Sequence, residues 1–314
     1  MFPNLPTKAR ALNATLNKMW EEGVQEGPAE LGCSDILDIC AIEGSDGPEN
    51  IYLYNGEKRG MYTRGKDGSL VVEATQVYEA SVPNVTKYLV IDVPLDEFKD
   101  DKIGQYSVVA REHGVRAVSA PIIDVEELFA RGDEATALCH DGKPMFATDH
   151  PADPSKSGSA TWSNKLTKSA GLTFDTFGEV LTAMLKFPSA TPGKARGTMP
   201  THLLVTADYF GMAMDICTKQ FPSGLAGGEN KWLGLKIKPL LVANWSRDIW
   251  SLVDARSKKK RPIVLQEREP IQLVPHGIDP SGAMEFERGT LRWVSNGRHG
   301  VGYADPSKAV LVIK

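Results

Sequence analysis

Two histidines, His140 and His150, flank the stretch DGKPMFATD, with Cys139, Asp141 and Asp149 close by. Imidazole, thiol and carboxylate groups in such density could ligate a divalent metal and run metal-assisted hydrolysis. Their spacing argues against it. A His-x-x-x-His pair puts two imidazoles on one helix face, whereas the ten-residue step from His140 to His150 specifies no geometry. The sequence instead predicts a strand and turn in which Asp149 and His150 make structural hydrogen bonds. No Gly-x-Ser-x-Gly elbow, phosphate-binding Gly-Lys-Ser/Thr loop or dinucleotide fingerprint occurs. His299, between Arg298 and Gly300, reads as part of a turn, and the run Lys258 to Arg261 before Pro262 as a solvated turn. Trp232, Trp245, Trp250 and Trp293 sit among β-forming residues and read as core or interface anchors rather than a base-stacking platform. A catalyst needs convergent groups, and none emerges, so the expectation is no enzyme, no metal and no cofactor.

The elements around these residues are more informative. From Gly56 to Gly68 the chain reads GEKRGMYTRGKDG, in which Met61 and Tyr62 are the sizeable apolar groups. Asp67-Gly68 suits a tight hairpin turn, and Leu70, Val71 and Val72 follow at once. A lone two-stranded hairpin is marginal in water, so this arm needs another surface to lie on. Its glycines at 56, 60, 65 and 68 would let it bend differently at different sites. Arg59, Arg64, Lys66 and Asp67 are the candidates for charged contacts with a neighbouring subunit, each exposed pair adding about 0 to 1 kcal/mol.

The return strand continues through Val77, Tyr78 and Val82 to YLVIDV at 88–93. Asp96, Glu97, Asp100 and Asp101 then cluster where a helix would begin, complementing the positive end of its dipole. Val108, Val115, Val118, Ile122, Val125 and Phe129 recur at helical spacing and predict one buried stripe. A helix over 100–131 would be about 48 Å long. Pro121 predicts a kink, or a second helix restarting near Ser119. Ahead of the hairpin, Thr7 is placed to cap a helix running to Glu22 and ended by Gly23, and residues 27–50 read as a loosely structured connection. Later, Thr173 to Phe187 and 207–220 read as helices and HLLVT as a short strand. From Trp232 onward the pattern is mainly β, so the fold class is α+β.

At 314 residues the chain is long enough for two domains or one elaborate one. Hydrophobic residues at 41% and charged residues at 24% match a globular protein. A net charge of −4 lacks the basic excess that tight nucleic-acid binding needs. Cys33, Cys40, Cys139 and Cys217 form no Cys-x-x-Cys pair and read as free thiols. No run approaches a membrane span, and the start has no signal-peptide pattern, so synthesis in the cytoplasm is expected.

Five ordered strings carry a family resemblance: DDKIGQYSVVAREHGVRA at 100–117, DGKPMFATDHP at 141–151, PTHLLVTADYFGMA at 200–213, RPIVLQER at 261–268 and RHGVGYADPSKA at 298–309. Together with the order of arm, hairpin, long helix and β-rich remainder, they resemble the Mu-like major head subunit (gpT) family, tailed-phage major capsid proteins with the HK97-type fold. The resemblance implies an N-terminal arm at 1–49, an extended loop at 50–93 and a spine helix at 96–131. The spine belongs to a peripheral domain of 94–172 and 284–307, which includes a late strand near 284–296. An axial domain takes 173–283 and 308–314. It further implies many copies of the chain in hexamers and pentamers, enclosing double-stranded DNA that is touched only non-specifically. Its expected partners are a portal, a separate scaffold or protease protein and a decoration protein, with the virion capsid as its location and no membrane contact. The rival readings are another phage structural protein, such as a tail tube or decoration subunit, and a metal-dependent hydrolase using His140 and His150.

Overall fold

The computed structural model describes residues 5–31, 34–55, 77–100, 104–154, 156, 158–190, 193–222, 228–276 and 289–314. In chain order the elements are α1 (Leu5–Leu31), β1 (Cys40–Gly44), β2 (Glu49–Asn55), β3 (Val77–Pro83), β4 (Val85–Pro94), α2 (Leu95–Lys99) and α3 (Gly104–Ala130). They continue as β5 (His150–Pro151), β6 (Thr161–Trp162), β7 (Lys165–Thr167), α4 (Phe174–Leu185), β8 (His202–Val205) and α5 (Ala207–Thr218). Strands β9 (Lys238–Leu241), β10 (Ile249–Val253), β11 (Ile263–His276), β12 (Thr290–Tyr303) and β13 (Ala309–Ile313) complete the chain. The predicted α+β class holds, and the late strands fall where the β-rich pattern placed them.

Among the described residues the strands form two main sheets. One has the order β1-β11-β12-β4, with β1 parallel to β11 and the other pairings antiparallel. The other runs β7-β13-β10-β8-β9. Because β11 pairs with β12, residues 263–276 belong to the first sheet.

Helices α1 and α3 lie on one face of the first sheet. Side chains alternate across a strand, so Ile91, Val93, Leu291 and Trp293 point the same way and bury against Ala9, Leu12 and Leu16 of α1, Ala110 of α3 and Phe98 of α2. Each fully buried leucine among them contributes about 1.5–3 kcal/mol. The second sheet is covered on both faces. Trp250 and Leu252 join Phe177, Leu181 and Ile216 of α4 and α5, while Ile249 and Val253 join Val125 and Phe129 of α3. The threonine before α4 makes a capping box with Thr176, which fixes that helix's start.

Several local expectations are corrected. Helix α1 does not stop at Glu22 but continues through Gly23 to Leu31. Gly23 and Gly114 sit where α1 and α3 cross, and a Cβ on either would collide with the other helix's backbone. Glycine here permits a close crossing, and the packing outweighs its roughly 1 kcal/mol propensity cost. Among the described residues of 27–50 the connection is not loose: Ile36 and Ile39 sit in a short 3₁₀ turn and Cys40 opens β1, all three buried in the core.

The predicted spine is divided into α2 and α3, with 101–103 outside the described residues. Its stripe begins differently from expectation, because Val108 is 58% exposed and the buried positions toward the start are Ala110, His113 and Gly114, of which Ala110 and Gly114 pack on α1. No second helix restarts near Ser119. Helix α3 runs through Pro121, with Gly114 held against α1 before it and Ile122, Val125 and Phe129 held in the core after it. The late strand expected near 284–296 is β12, which extends to Tyr303 and carries His299 in mid-strand rather than in a turn.

Candidate assembly site at the hairpin base

Strands β2 and β3 form the base of the predicted hairpin, paired from Glu49 opposite Pro83 to Asn55 opposite Val77. Alternation gives the two-stranded sheet two unlike faces. The inner face carries Tyr52, Tyr54, Tyr78 and Val82, and the outer face carries Ile51, Leu53, Val77 and Glu79.

The inner face is fastened to the body at several points. Gln266 of β11, fully buried, donates to the Val82 carbonyl at 2.7 Å and to Asn84 Oδ1 at 2.8 Å, and accepts from the Tyr52 hydroxyl at 3.1 Å. Gly300 and Gly302 of β12 let the hairpin approach, because a Cβ at those positions would strike the Pro83 carbonyl and the Val82 side chain. Tyr54 stacks on His140 with ring centroids 4.8 Å apart, and Tyr78 packs on the same imidazole at 5.9 Å. Burial pushes the Tyr52 and Tyr54 hydroxyls up from their ordinary values, so both stay neutral. Between this face and the body lies a cleft of about 700 Å³, whose lining also includes Arg196, Lys259 and Lys260.

Where the hairpin rejoins the first sheet, Asp124 of α3 accepts from Lys87 Nζ at 2.9 Å and sits 2.8 Å from His299 Nε2. Burial alone would raise the Asp124 carboxyl, but the hydrogen bonds and charges of His299 and Lys87 outweigh it and hold it below the usual value. These groups border a smaller cavity of about 380 Å³. At the far end of α3, Asp133 is drawn down to about 2, chiefly by the Arg247 guanidinium, which reaches it at 2.6 and 2.9 Å.

The candidates Arg59, Arg64, Lys66 and Asp67, and the turn at Asp67-Gly68, lie outside the described residues. His140 and His150 take separate roles. His140 is an aromatic prop for the hairpin, with Nδ1 3.3 Å from the Ala304 carbonyl. His150 is buried, 2.7 Å from Asp141 Oδ2 and 3.1 Å from Asn164 Oδ1, and Asp149 pairs with Lys143. These are the structural hydrogen bonds that the sequence predicts for Asp149 and His150. Among the described residues no three His, Cys, Asp or Glu side chains are grouped to hold a metal ion. Lys258, Lys259 and Lys260 form an exposed turn, as read. Trp245, Trp250 and Trp293 are buried anchors. Sequence reasoning missed Gln266 and Asp124. The signal for the first was a lone amide inside the apolar run of RPIVLQER.

These elements, a helix pair on a long sheet, a second sheet covered on both faces and the paired strands β2 and β3, can be set against known proteins. The family model of the Mu-like prophage major head subunit gpT matches residues 10–174, more than half of the chain. The chain belongs to the Mu-like gpT major head subunit family. That is a family of capsid structural proteins rather than of enzymes. The major capsid protein of Escherichia phage Mu is 24% identical over 158 residues, covering 50% of this chain and 48% of that protein, so the chain spans about half the length of that relative. A chain of the bacteriophage JBD30 procapsid superposes with a TM-score of 0.55 at 18% identity, covering 100% of this chain and 76% of that one. The subunit of a virus-like particle from Pyrococcus furiosus gives 0.52 at 10% identity, covering 95% and 97%. The gpT-family chain thus has the α+β fold of HK97-type capsid proteins.

Proposed function

We propose that this chain is the major capsid subunit of a tailed bacteriophage, assembling in many copies into the icosahedral shell around the double-stranded DNA genome. The observation that carries this reading is the hairpin base. Its inner face is tied to the body by Gln266 and His140, while Ile51, Leu53 and Val77 on its outer face are half or more exposed. Large apolar groups left side by side in solvent mark an interaction surface.

In this reading the first sheet with α1 and α3 is the peripheral domain, and the second sheet with α4 and α5 is the axial domain surrounding capsomer centres. Copies associate in hexamers and pentamers through many modest contacts, and closure supplies avidity that no single interface has. A portal, a separate scaffold or protease protein and a decoration protein are the further partners. With a net charge of −4 the chain meets packaged DNA without sequence preference. Deleting residues 57–68 tests this. The truncated chain is expected to be soluble and folded, with an unchanged far-ultraviolet dichroism spectrum, and to form no closed shells in electron micrographs where the intact chain does. Normal shells from the truncated chain, or tubes from the intact one, would overturn the reading.

A further inference from the structure

We infer that the outer face of the hairpin base receives the lysine turn, Lys258 to Lys260, of a second copy, a head-to-tail contact that repeats around a capsomer ring. The inference rests on the shell reading above and names the two surfaces that meet.

The receiving face is an apolar patch with two acidic groups, Glu49, which accepts from the Ser81 hydroxyl, and Glu79. Ile51, Leu53 and Val77 are 59%, 61% and 50% exposed, and Glu79, directly opposite Leu53, makes no ion pair with another described residue. The donating turn is its complement. Lys258, Lys259 and Lys260 are consecutive, exposed and without an ion-pair partner among the described residues, and their butylene stems can cover apolar surface while the ammonium groups reach a carboxylate.

One copy cannot satisfy both. Lys259 and Lys260 border the cleft on the side of Tyr52, Tyr54 and Tyr78, the inner face, whose edge Leu53 also reaches, whereas Ile51, Val77 and Glu79 lie outside that lining and strand alternation points them the opposite way. The two surfaces therefore lie on opposite sides of the same two-stranded layer. A surface on one side that fits a different surface on the other gives a heterologous contact, and such contacts close into rings when the rotation per copy allows. Each copy then gives its hairpin face to one neighbour and its lysine turn to the next.

A charge-swap cycle tests this in the full chain, with shell yield read by sedimentation and electron microscopy. Glu79→Lys alone, and Lys259→Glu with Lys260→Glu, are each expected to lower the yield by about tenfold or more, because like charges then face each other across the contact. The triple variant restores it to within about threefold, since the pair is re-formed with its signs exchanged. Leu53→Asp is expected to abolish shells while leaving the thermal midpoint of the subunit unchanged. Shells unaffected by every swap, or lysine variants that build normal shells but retain less DNA, would overturn this contact and leave the shell reading standing. No closed particles from the intact chain would overturn both.

Discussion

Strand β10 and the hairpin base are both β structure, yet they meet solvent in opposite ways. All five residues of β10 are buried, with β13 on one edge, β8 on the other and apolar clusters on both faces. Strand β3 reads as alternately exposed and half-buried, with Val82 fully buried near the end where it meets Gly302. Strand β10 therefore has its packing completed within the chain, whereas the hairpin completes only one face. Stability is concentrated in the first region and the capacity to assemble in the second, so substitutions in the two regions should separate these properties.

The largest expected effect lies in the body. Trp250 is fully buried, and its indole N–H has no hydrogen-bond partner, so Trp250→Ala removes packing alone. A loss of about 3–5 kcal/mol is expected in denaturant unfolding, enough to deplete folded subunits before assembly begins. A loss below about 1 kcal/mol would mean that the second sheet is not the chain's main source of stability.

Next comes the joint between the regions. Gln266→Leu keeps the volume but strips the Val82 carbonyl, Asn84 and the Tyr52 hydroxyl of their shared partner. Leaving the buried Val82 carbonyl and the half-buried Asn84 and Tyr52 groups without it costs about 1–3 kcal/mol, less than the tryptophan. Hydrogen exchange should localise the change to β2 and β3. Exchange rising uniformly through the second sheet instead would erase the distinction between the two regions.

A third substitution tests the body's own polar weak point. Glu126 of α3 is fully buried, with Oε2 accepting from Asn244 at 2.6 Å and Oε1 unpartnered. Burial raises its carboxyl above the ordinary value, the Asn244 hydrogen bond offsetting only part of that. The unfolded chain ionises first, near the ordinary glutamate value of about 4.3. Stability therefore falls as pH rises from there toward the raised folded value, then levels off. Glu126→Gln removes the proton equilibrium, so the variant should gain on wild type as pH rises and lose that advantage in acid. Parallel stability-versus-pH curves for the two proteins would refute the assignment.

How much of this was legible in the sequence depends on whether the signal was local. The strands YLVIDV, DIWSLVDA and AVLVIK announce themselves by composition, and α4 by its apolar spacing and its threonine cap. Gly23 did not, because a glycine inside a helix looks like a terminator until the partner helix is in place. Pro121 misled for the same reason: the helix is held together across it by contacts with α1 and the core. Val108 has the right spacing for the core stripe, but α1 covers a neighbouring face of α3 instead. At the candidate site, the need of the hairpin for a support was readable from its composition. The supports themselves were not, since Gln266 and His140 lie far along the chain from β2 and β3, Gln266 on β11 and His140 in the segment after α3.

The smallest expected effect on stability is the one that best isolates the hairpin's open face. Val77→Thr there is nearly isosteric, keeps a β-branched residue in the strand and places its hydroxyl at a position already 50% exposed. Denaturant unfolding should shift by no more than about 0.5 kcal/mol. If the outer face buries against a neighbour, however, the same hydroxyl enters an apolar contact without a partner, once per subunit, and the penalty multiplies through the shell. Unchanged monomer stability with a sharply lower shell yield is therefore the expected pair of results. Equal, small effects on both would mean that this face stays in solvent after assembly, and that the hairpin's support is limited to the surface of its own chain.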